Sequence, residues 1–373
     1  TPPHSSAASD VYKRQPYLQK SFHRLPMLES AGIRKFFSGP ESFTPDTQYL
    51  LGETSEIKKL FTCCGFNSIG IASSGGAGRV TAEWMINGHI NEDLFSLDIK
   101  RFQKFHSSKK FIMERVTETL GDLYGMHWPF KQHKTSRNQI ILPYQEELKK
   151  LGACFGTSGG FERPMWYALK GEKADYKYSF GYQNWYPSAE YETKNTRENV
   201  GLFELSPFSK FDLEGQNVHE ELQKICTANI KDIEGRATYT QMLNEDGGIE
   251  TDVTITCLKK NHFRVIGPAA TREHDKFHIK KHISQEVNLK DVTEDLTCLG
   301  LYGPNSRKLL SNISNDDFSN ESIKFSHGKL VTIDGISVWA QRLSYVGEIG
   351  FELYANIEES KKLFLAIVKE GKN

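Results

Sequence analysis

From about residue 195 onward, short runs of β-branched and aromatic residues alternate with runs of helical spacing, and this rhythm constrains the fold more than any other feature of the chain. Strand-like runs fall at 208–214, 238–244, 252–258, 262–267, 298–302, 329–343 and 351–355, and helical periodicity at 216–226, 271–282 and 304–311. Side chains alternate between two faces along a strand and return to one face every 3.6 residues along a helix. Interleaving the two patterns irregularly implies an α+β fold. No segment of 20–50 residues repeats, which argues against a solenoid or propeller. At roughly 150 residues per domain, 373 residues suggest two or three domains.

Charge narrows the partners. The 47 basic and 47 acidic residues cancel, whereas a nucleic-acid binder needs a basic excess or a dense basic stripe to neutralise phosphates. Only short pairs such as Lys109–Lys110 and Lys259–Lys260 occur. No nucleic-acid partner is therefore expected. No apolar run reaches the ~18 residues of a membrane span. The six cysteines, at 63, 64, 154, 226, 257 and 298, show no zinc spacing, and they read as reduced, mostly buried structural thiols. No histidine pair has metal-ligand spacing, so no metal is expected, and His262, His274 and His278 read as surface residues.

The chain changes character along its length. Residues 1–15 (TPPHSSAASDVYKRQ) are small, polar and patternless; they read as a disordered lead or an artefactual junction and not as a signal or transit peptide. Residues 16–106 are turn-rich with short strands. Residues 107–168 carry helical stretches at Phe111–Tyr124 and Tyr144–Leu151. A tyrosine-rich connector then leads to the region 185–373, whose last amphipathic helix, 359–371, reads as an interior piece of something longer.

Four motifs could carry chemistry. Gly65-Phe-Asn-Ser-Ile-Gly-Ile-Ala-Ser-Ser-Gly-Gly-Ala-Gly78 is a glycine-dense segment leading into helical spacing. It is either a tight structural turn or a loop that offers backbone N–H groups and a helix dipole to an electron-rich ligand. Gly39-Pro-Glu-Ser-Phe-Thr-Pro-Asp46 is a proline-punctuated turn. Asp246-Gly247 is a strong hairpin signal. Past it, Ile249, Thr251, Val253 and Ile255 share one face, and Glu250, Asp252 and Thr254 the other. Asp252 is then a solvated strand carboxylate or one lining a polar cavity, where it could relay a proton. Ser344-Tyr345-Val-Gly347-Glu348-Ile-Gly350-Phe-Glu352 reads as a turn followed by a strand.

Taken in order, these motifs with Phe161-Glu-Arg-Pro164, Leu205-Ser-Pro-Phe-Ser-Lys-Phe211, Met242-Leu-Asn and Gly303-Pro304 resemble the C-terminal two-thirds of the flavin-dependent dimethylglycine/sarcosine dehydrogenase family. From about 185 onward the chain is also similar to the glycine-cleavage T-protein, a folate-binding aminomethyltransferase. The resemblance implies the C-terminal part of an FAD-dependent, DAO-like oxidoreductase domain (16–106), its linking segment (107–168) and a T-protein-like domain (185–373). The implied cofactors are FAD and tetrahydrofolate, and the implied substrate is an N-methyl amine, dimethylglycine or sarcosine, whose one-carbon unit passes to folate. The implied compartment is the mitochondrial matrix in a eukaryote or the cytoplasm in a bacterium.

Residue by residue, Phe66, Asn67, Ser68, Ile69, Gly70 and Ile71 match the family's flavin-contacting segment. Asp252 matches the T-protein's catalytic aspartate, and Glu352 its pterin-anchoring carboxylate, able to accept two N–H bonds at once. Tyr239 and Tyr345 match aromatic or hydroxyl contacts of the folate site. There are departures. The dinucleotide-binding motif and a later folate-contacting arginine lie outside this sequence, and Gly267 stands where the T-protein has asparagine. The chain alone is expected to bind FAD poorly and to be inactive. Two alternatives are a non-catalytic protein like the regulatory subunit of pyruvate dehydrogenase phosphatase and an aminomethyltransferase lacking oxidase function. The first is disfavoured because Asp252 and Glu352 are both intact here.

Overall fold

The computed structural model describes residues 5–34, 40–90 and 92–372, with side chains from residue 14 onward. Gly39 of the proline-punctuated turn, and the first four residues of the lead, fall outside this range. From Ser5 the lead is helical instead of irregular: α1 spans Ser5–Arg24 with Pro16 inside it.

The remaining elements up to the T-protein-like region are β1 (Leu50–Glu53), β2 (Phe61–Cys64), α2 (Gly70–Asn87), α3 (Lys109–Asp122), α4 (Gln145–Lys150), β3 (Ala153–Ser158) and β4 (Phe161–Tyr167). They continue with α5 (Tyr186–Glu198), β5 (Gly201–Glu204), β6 (Ser209–Glu214), α6 (Val218–Ile225), β7 (Ala237–Leu243), β8 (Ile249–Lys259), β9 (His262–Gly267) and α7 (Arg272–His282). The chain closes with β10 (Asn288–Asp291), β11 (Leu296–Tyr302), α8 (Ser306–Ile313), β12 (Gly328–Ile333), β13 (Ile336–Gln341), β14 (Gly350–Asn356) and α9 (Ile357–Glu370).

Two five-stranded antiparallel sheets organise the region after 200. The first runs β10-β6-β9-β8-β7 and the second β12-β13-β14-β11-β5. Each sheet packs one face against helices, and the central strands β11 and β14 of the second are buried on both faces. Phe211, Leu213, Val253, Ile255, Phe263 and Val265 of the first sheet pack with Val218 and Leu222 of α6 and Ile279 of α7. In the second, Leu299, Leu301, Val338, Ala340, Phe351 and Leu353 pack with Leu309 and Leu310 of α8 and Leu363 and Phe364 of α9. Leu142, Tyr144, Leu148, Ala153 and Phe161 join that same core, with Tyr144 stacked on Phe364 at 4.7 Å. The segment around β3–β4 is thus held by the second sheet's core.

Several sequence expectations change. The run 329–343 is a hairpin and not one strand: Asp334 and Gly335, both at positive φ, turn β12 back as β13, the backbone geometry of a tight two-residue hairpin. The helix expected after Gly78 begins at Gly70 instead, so Gly75, Gly76 and Gly78 lie within α2. A Cβ at any of the three would meet nothing within 4 Å; these glycines leave a bare strip of helix backbone at the surface. The histidines expected at the surface are largely covered. His278 is buried, and the side chains of His262 and His274 keep 15% and 14% of their exposure, because carboxylates on adjoining elements draw them in. All six cysteines are free; Cys63 and Cys64 are exposed and the other four are covered.

Candidate folate and flavin sites

Strand alternation builds the first site. On β8, Thr251, Val253 and Ile255 are buried on one face, so Asp252 points to the opposite, polar face. Tyr239 pairs with Thr254 across the β7–β8 ladder, one diagonal step from Asp252, and its hydroxyl donates to Asp252 Oδ2 at 2.8 Å. Hydrogen bonding to that carboxylate raises the Tyr239 pKa above its ordinary value. The turn that sets this register is the expected one, with Gly247 at φ 82° and Asn244 Oδ1 accepting from the Gly248 N–H at 2.8 Å.

The same polar face carries Arg264 on β9 and Asp212 and Lys210 on β6, since Lys210 pairs with Ile266 and Asp212 with Arg264. Arg264 grips Asp212 with two hydrogen bonds, of 2.7 and 2.8 Å. Burial alone would raise the Asp212 carboxyl, but the bonds from Arg264 and His262 bring it down to about 2. Burial lowers the Lys210 ammonium to about 8, and its protons go to the carbonyls of Ser206 and Phe208 at 2.8 and 2.7 Å.

The second sheet presents its own polar face to this one. Glu352 and Tyr354 on β14 sit opposite Gly300 and Cys298 on β11, and Arg264 lies over the Tyr354 ring at 5.9 Å. Glu352 is buried at 7% exposure, and burial raises its carboxyl although Tyr354 donates to Oε2 at 2.7 Å. The buried Tyr302 hydroxyl lies beside it and meets no hydrogen-bond partner. Two glycines admit the Tyr302 ring: a Cβ on Gly300 would meet it at 2.7 Å, and one on Gly350 at 2.0 Å. Tyr345 is 73% exposed; it lies within electrostatic reach of Glu352, Tyr239 and Asp252. The fold therefore gathers all four residues expected at a folate site.

Gly267 sits behind this face, where a Cβ would come within 3.0 Å of both Asp275 Oδ2 and Ser209 Oγ. Sequence reading missed Tyr302, Tyr354, Arg264, Asp212 and Lys210. Tyr354 was within reach, because it lies two residues past Glu352 on one strand. The others depend on which strands become neighbours.

The flavin-loop residues are held from the proline-punctuated turn. Asn67 Oδ1 accepts from the Thr44 N–H at 2.9 Å, Asn67 Nδ2 donates to the Gly65 carbonyl at 2.6 Å, and Ser68 Oγ donates to Glu41. Asn67 and Ser68 both take positive φ, which aims the chain into α2. Phe66 stacks on Tyr49 at 4.9 Å, and Ile69 and Ile71 are exposed. No side chain caps the N-terminus of α2, so its first N–H groups stay available. The loop does not adjoin the folate-site residues. It lies at the far end of α2, whose 18 residues extend about 27 Å. The near end reaches the β7–β8 turn, where His89 pairs with Asp246 and Lys281 donates to the Gly88 carbonyl at 3.3 Å.

Comparison with known proteins settles the lineage. The family model of the GCVT N-terminal domain matches residues 144–373. The chain belongs to that family. The model of the FAD dependent oxidoreductase central domain matches residues 87–140, ahead of the GCVT domain.

Among curated relatives, 4-methylaminobutanoate oxidase (formaldehyde-forming) of Paenarthrobacter nicotinovorans is 40% identical, over 94% of this chain and 42% of its own length. Mitochondrial sarcosine dehydrogenase of Homo sapiens is 31% identical, over 95% of this chain and 43% of its own. The mitochondrial pyruvate dehydrogenase phosphatase regulatory subunit of Mus musculus is 32% identical, over 96% and 42%. The chain thus spans under half the length of each of these three relatives. A solved structure, glycine cleavage system aminomethyltransferase T from Bartonella henselae, superposes with a TM-score of 0.51 at 24% identity, over 62% of this chain and 57% of that one. It bears out the α+β fold of the GCVT domain. Among the described residues no helix is long and apolar enough to cross a membrane.

Proposed function

We propose that this chain carries the folate-binding part, and the adjoining edge of the flavin domain, of an FAD-dependent enzyme that oxidises an N-methylated amino acid, dimethylglycine, sarcosine or a longer homologue, and passes the one-carbon unit to tetrahydrofolate. The observation that carries this reading is the meeting of two polar sheet faces, one bearing the Tyr239–Asp252 pair and the other Glu352. The domain division follows: flavin-domain edge and central segment first, T-protein-like domain after them.

The residues present fit both groups. Glu352 has one oxygen bonded by Tyr354, and the buried Tyr302 hydroxyl beside it lacks a partner; together they offer an acceptor and a donor to a pterin edge. Asp252 keeps Oδ1 for a ligand while Tyr239 fixes Oδ2. The uncapped start of α2 suits the flavin segment.

When bound, FAD supplies the electron acceptor for amine oxidation and tetrahydrofolate the nitrogen that accepts the one-carbon unit. The residues of this chain do the rest. Asp252 orients that nitrogen and takes its proton. Glu352 fixes the pterin by charge-assisted hydrogen bonding, and Tyr345, being exposed, covers the ligand's outer face. The N–H groups of Gly70 and Ile71, at a helix start, favour negative charge on a flavin ring edge.

Calorimetric titration of the chain with tetrahydrofolate tests this. Glu352→Ala should cost about 1.5–3 kcal/mol, the worth of a hydrogen bond to a charged group, which is tenfold or more in affinity. Asp252→Asn should largely retain binding. A folded chain that binds no folate refutes the one-carbon reading and favours a non-catalytic role, the second reading supported by the similarity to the phosphatase regulatory subunit.

A further inference from the structure

A cavity of about 290 Å³ lies where the segment 101–115 meets the β3–β4 turn and the loop after β9, with Asp46, Phe95, Ser136 and Gln139 completing its wall. Its walls include Phe95, Phe105, Phe111 and Ala270. The β3–β4 turn closes on it tightly. Gly159 and Gly160 both take positive φ, and a Cβ on Gly160 would strike the Phe105 ring at 2.6 Å.

Two buried polar side chains in this wall each have one atom without a partner: Gln103 Oε1 and Arg115 Nε. Gln103 is 7% exposed and Arg115 9%. Their other contacts fix which atoms are left over. Gln103 Nε2 donates to the Ala269 carbonyl at 2.9 Å, so the amide is oriented with its oxygen free to accept. Arg115 Nη2 donates to the Thr135 carbonyl at 2.7 Å, which leaves the Nε–H as a charged donor. Glu118 lies 3.8 Å from Nε, beyond hydrogen-bond reach, and its oxygens accept from Lys134 N, Thr135 N and the Thr135 hydroxyl.

The neighbouring charges are already matched. Arg101 holds Asp46 with bonds of 2.6 and 3.1 Å. His106 is kept neutral at pH 7, since burial lowers it to about 4, and its Nδ1 accepts from the Gln103 N–H. A ligand here needs an anionic acceptor for Arg115, an N–H donor for Gln103 and a short apolar body for the phenyl walls. Buried polar groups without partners favour ligands that satisfy them.

We infer that this cavity is a binding site for a small amino-acid zwitterion, its carboxylate on Arg115 Nε and its amine N–H on Gln103 Oε1. The inference does not rest on the folate reading, because the cavity shares no residue with Asp252, Tyr239, Tyr345 or Glu352. Ligand-observed NMR and calorimetry on the full chain test it, with glycine, sarcosine and 4-aminobutanoate as probes and acetate and methylamine as half-ligands.

At least one amino acid should bind, and ~10-fold or more tighter than either half-ligand. Arg115→Lys, which removes Nε, should weaken it by ~10-fold. Ala270→Leu, which fills space and touches no polar contact, should do the same. A cooperatively folded chain that binds none of the three amino acids overturns the inference, as does binding unchanged by Ala270→Leu. Folate bound without amino acid overturns this site alone; amino acid bound without folate overturns only the folate reading.

Discussion

His274 joins strand β8 to helix α7, and its charge state should govern how stability varies with pH. Its Nε2 lies 3.0 Å from Glu250 and its Nδ1 3.2 Å from Asp275. Burial alone would lower its pKa, but the two carboxylates override that and raise it to about 9, from 6.5. A base whose folded pKa is raised contributes stability that is fully present below its unfolded pKa and lost as pH rises through the folded one. Between pH 6.5 and about 8.5 the loss amounts to roughly 2 kcal/mol. Lys210 acts in the opposite sense. Burial lowers it to about 8 from 10.5, so the folded state sheds an unfavourable charge as pH rises, and over the same interval stability gains roughly 1 kcal/mol. The groups common to both proteins, Lys210 among them, cancel in the comparison, so across this range His274→Gln should gain roughly 2 kcal/mol relative to wild type. Urea unfolding followed by circular dichroism at several pH values measures both slopes, and the buried thiols, whose unfolded forms begin to ionise near the top of this range, are common to both proteins and cancel in the difference. Parallel slopes for the two proteins would refute the assignment of the charge to His274.

Three further outcomes follow from the same geometry. Tyr302→Phe removes a buried hydroxyl that has no partner in the free chain, so urea stability should stay within about 1 kcal/mol of wild type while tetrahydrofolate affinity falls in calorimetry; a large stability loss would mean that the hydroxyl is already bonded. Gly350→Ala places a Cβ 2.0 Å from the Tyr302 ring and 2.9 Å from the Leu301 carbonyl, and should cost about 1–3 kcal/mol by overpacking. Combined with Tyr302→Ala, it should cost less than the sum of the single changes, which a double-mutant cycle reads directly. Arg264→Met strands the half-buried Asp212 and should cost about 3–5 kcal/mol in urea unfolding, part of which Asp212→Asn should restore in the same background.

What could be read from the sequence was whatever is decided within one strand or one turn. The Asp246-Gly247 turn and the alternation after it place Asp252 opposite Val253 and Ile255 without reference to any other element, and Tyr345 to Glu352 reads as turn and strand for the same reason. The meeting of these two segments is a tertiary fact. β8 and β14 belong to different sheets and are separated by about a hundred residues, and no local pattern states that their polar faces confront each other. The histidines show the same limit from the other side. His274 has the spacing of an exposed helix residue, yet Glu250 on β8 and its own neighbour Asp275 enclose it. Gly75, Gly76 and Gly78 were legible as a turn or a ligand loop but not as helix, since helix propensity penalises glycine while the open space around them costs the helix nothing in packing.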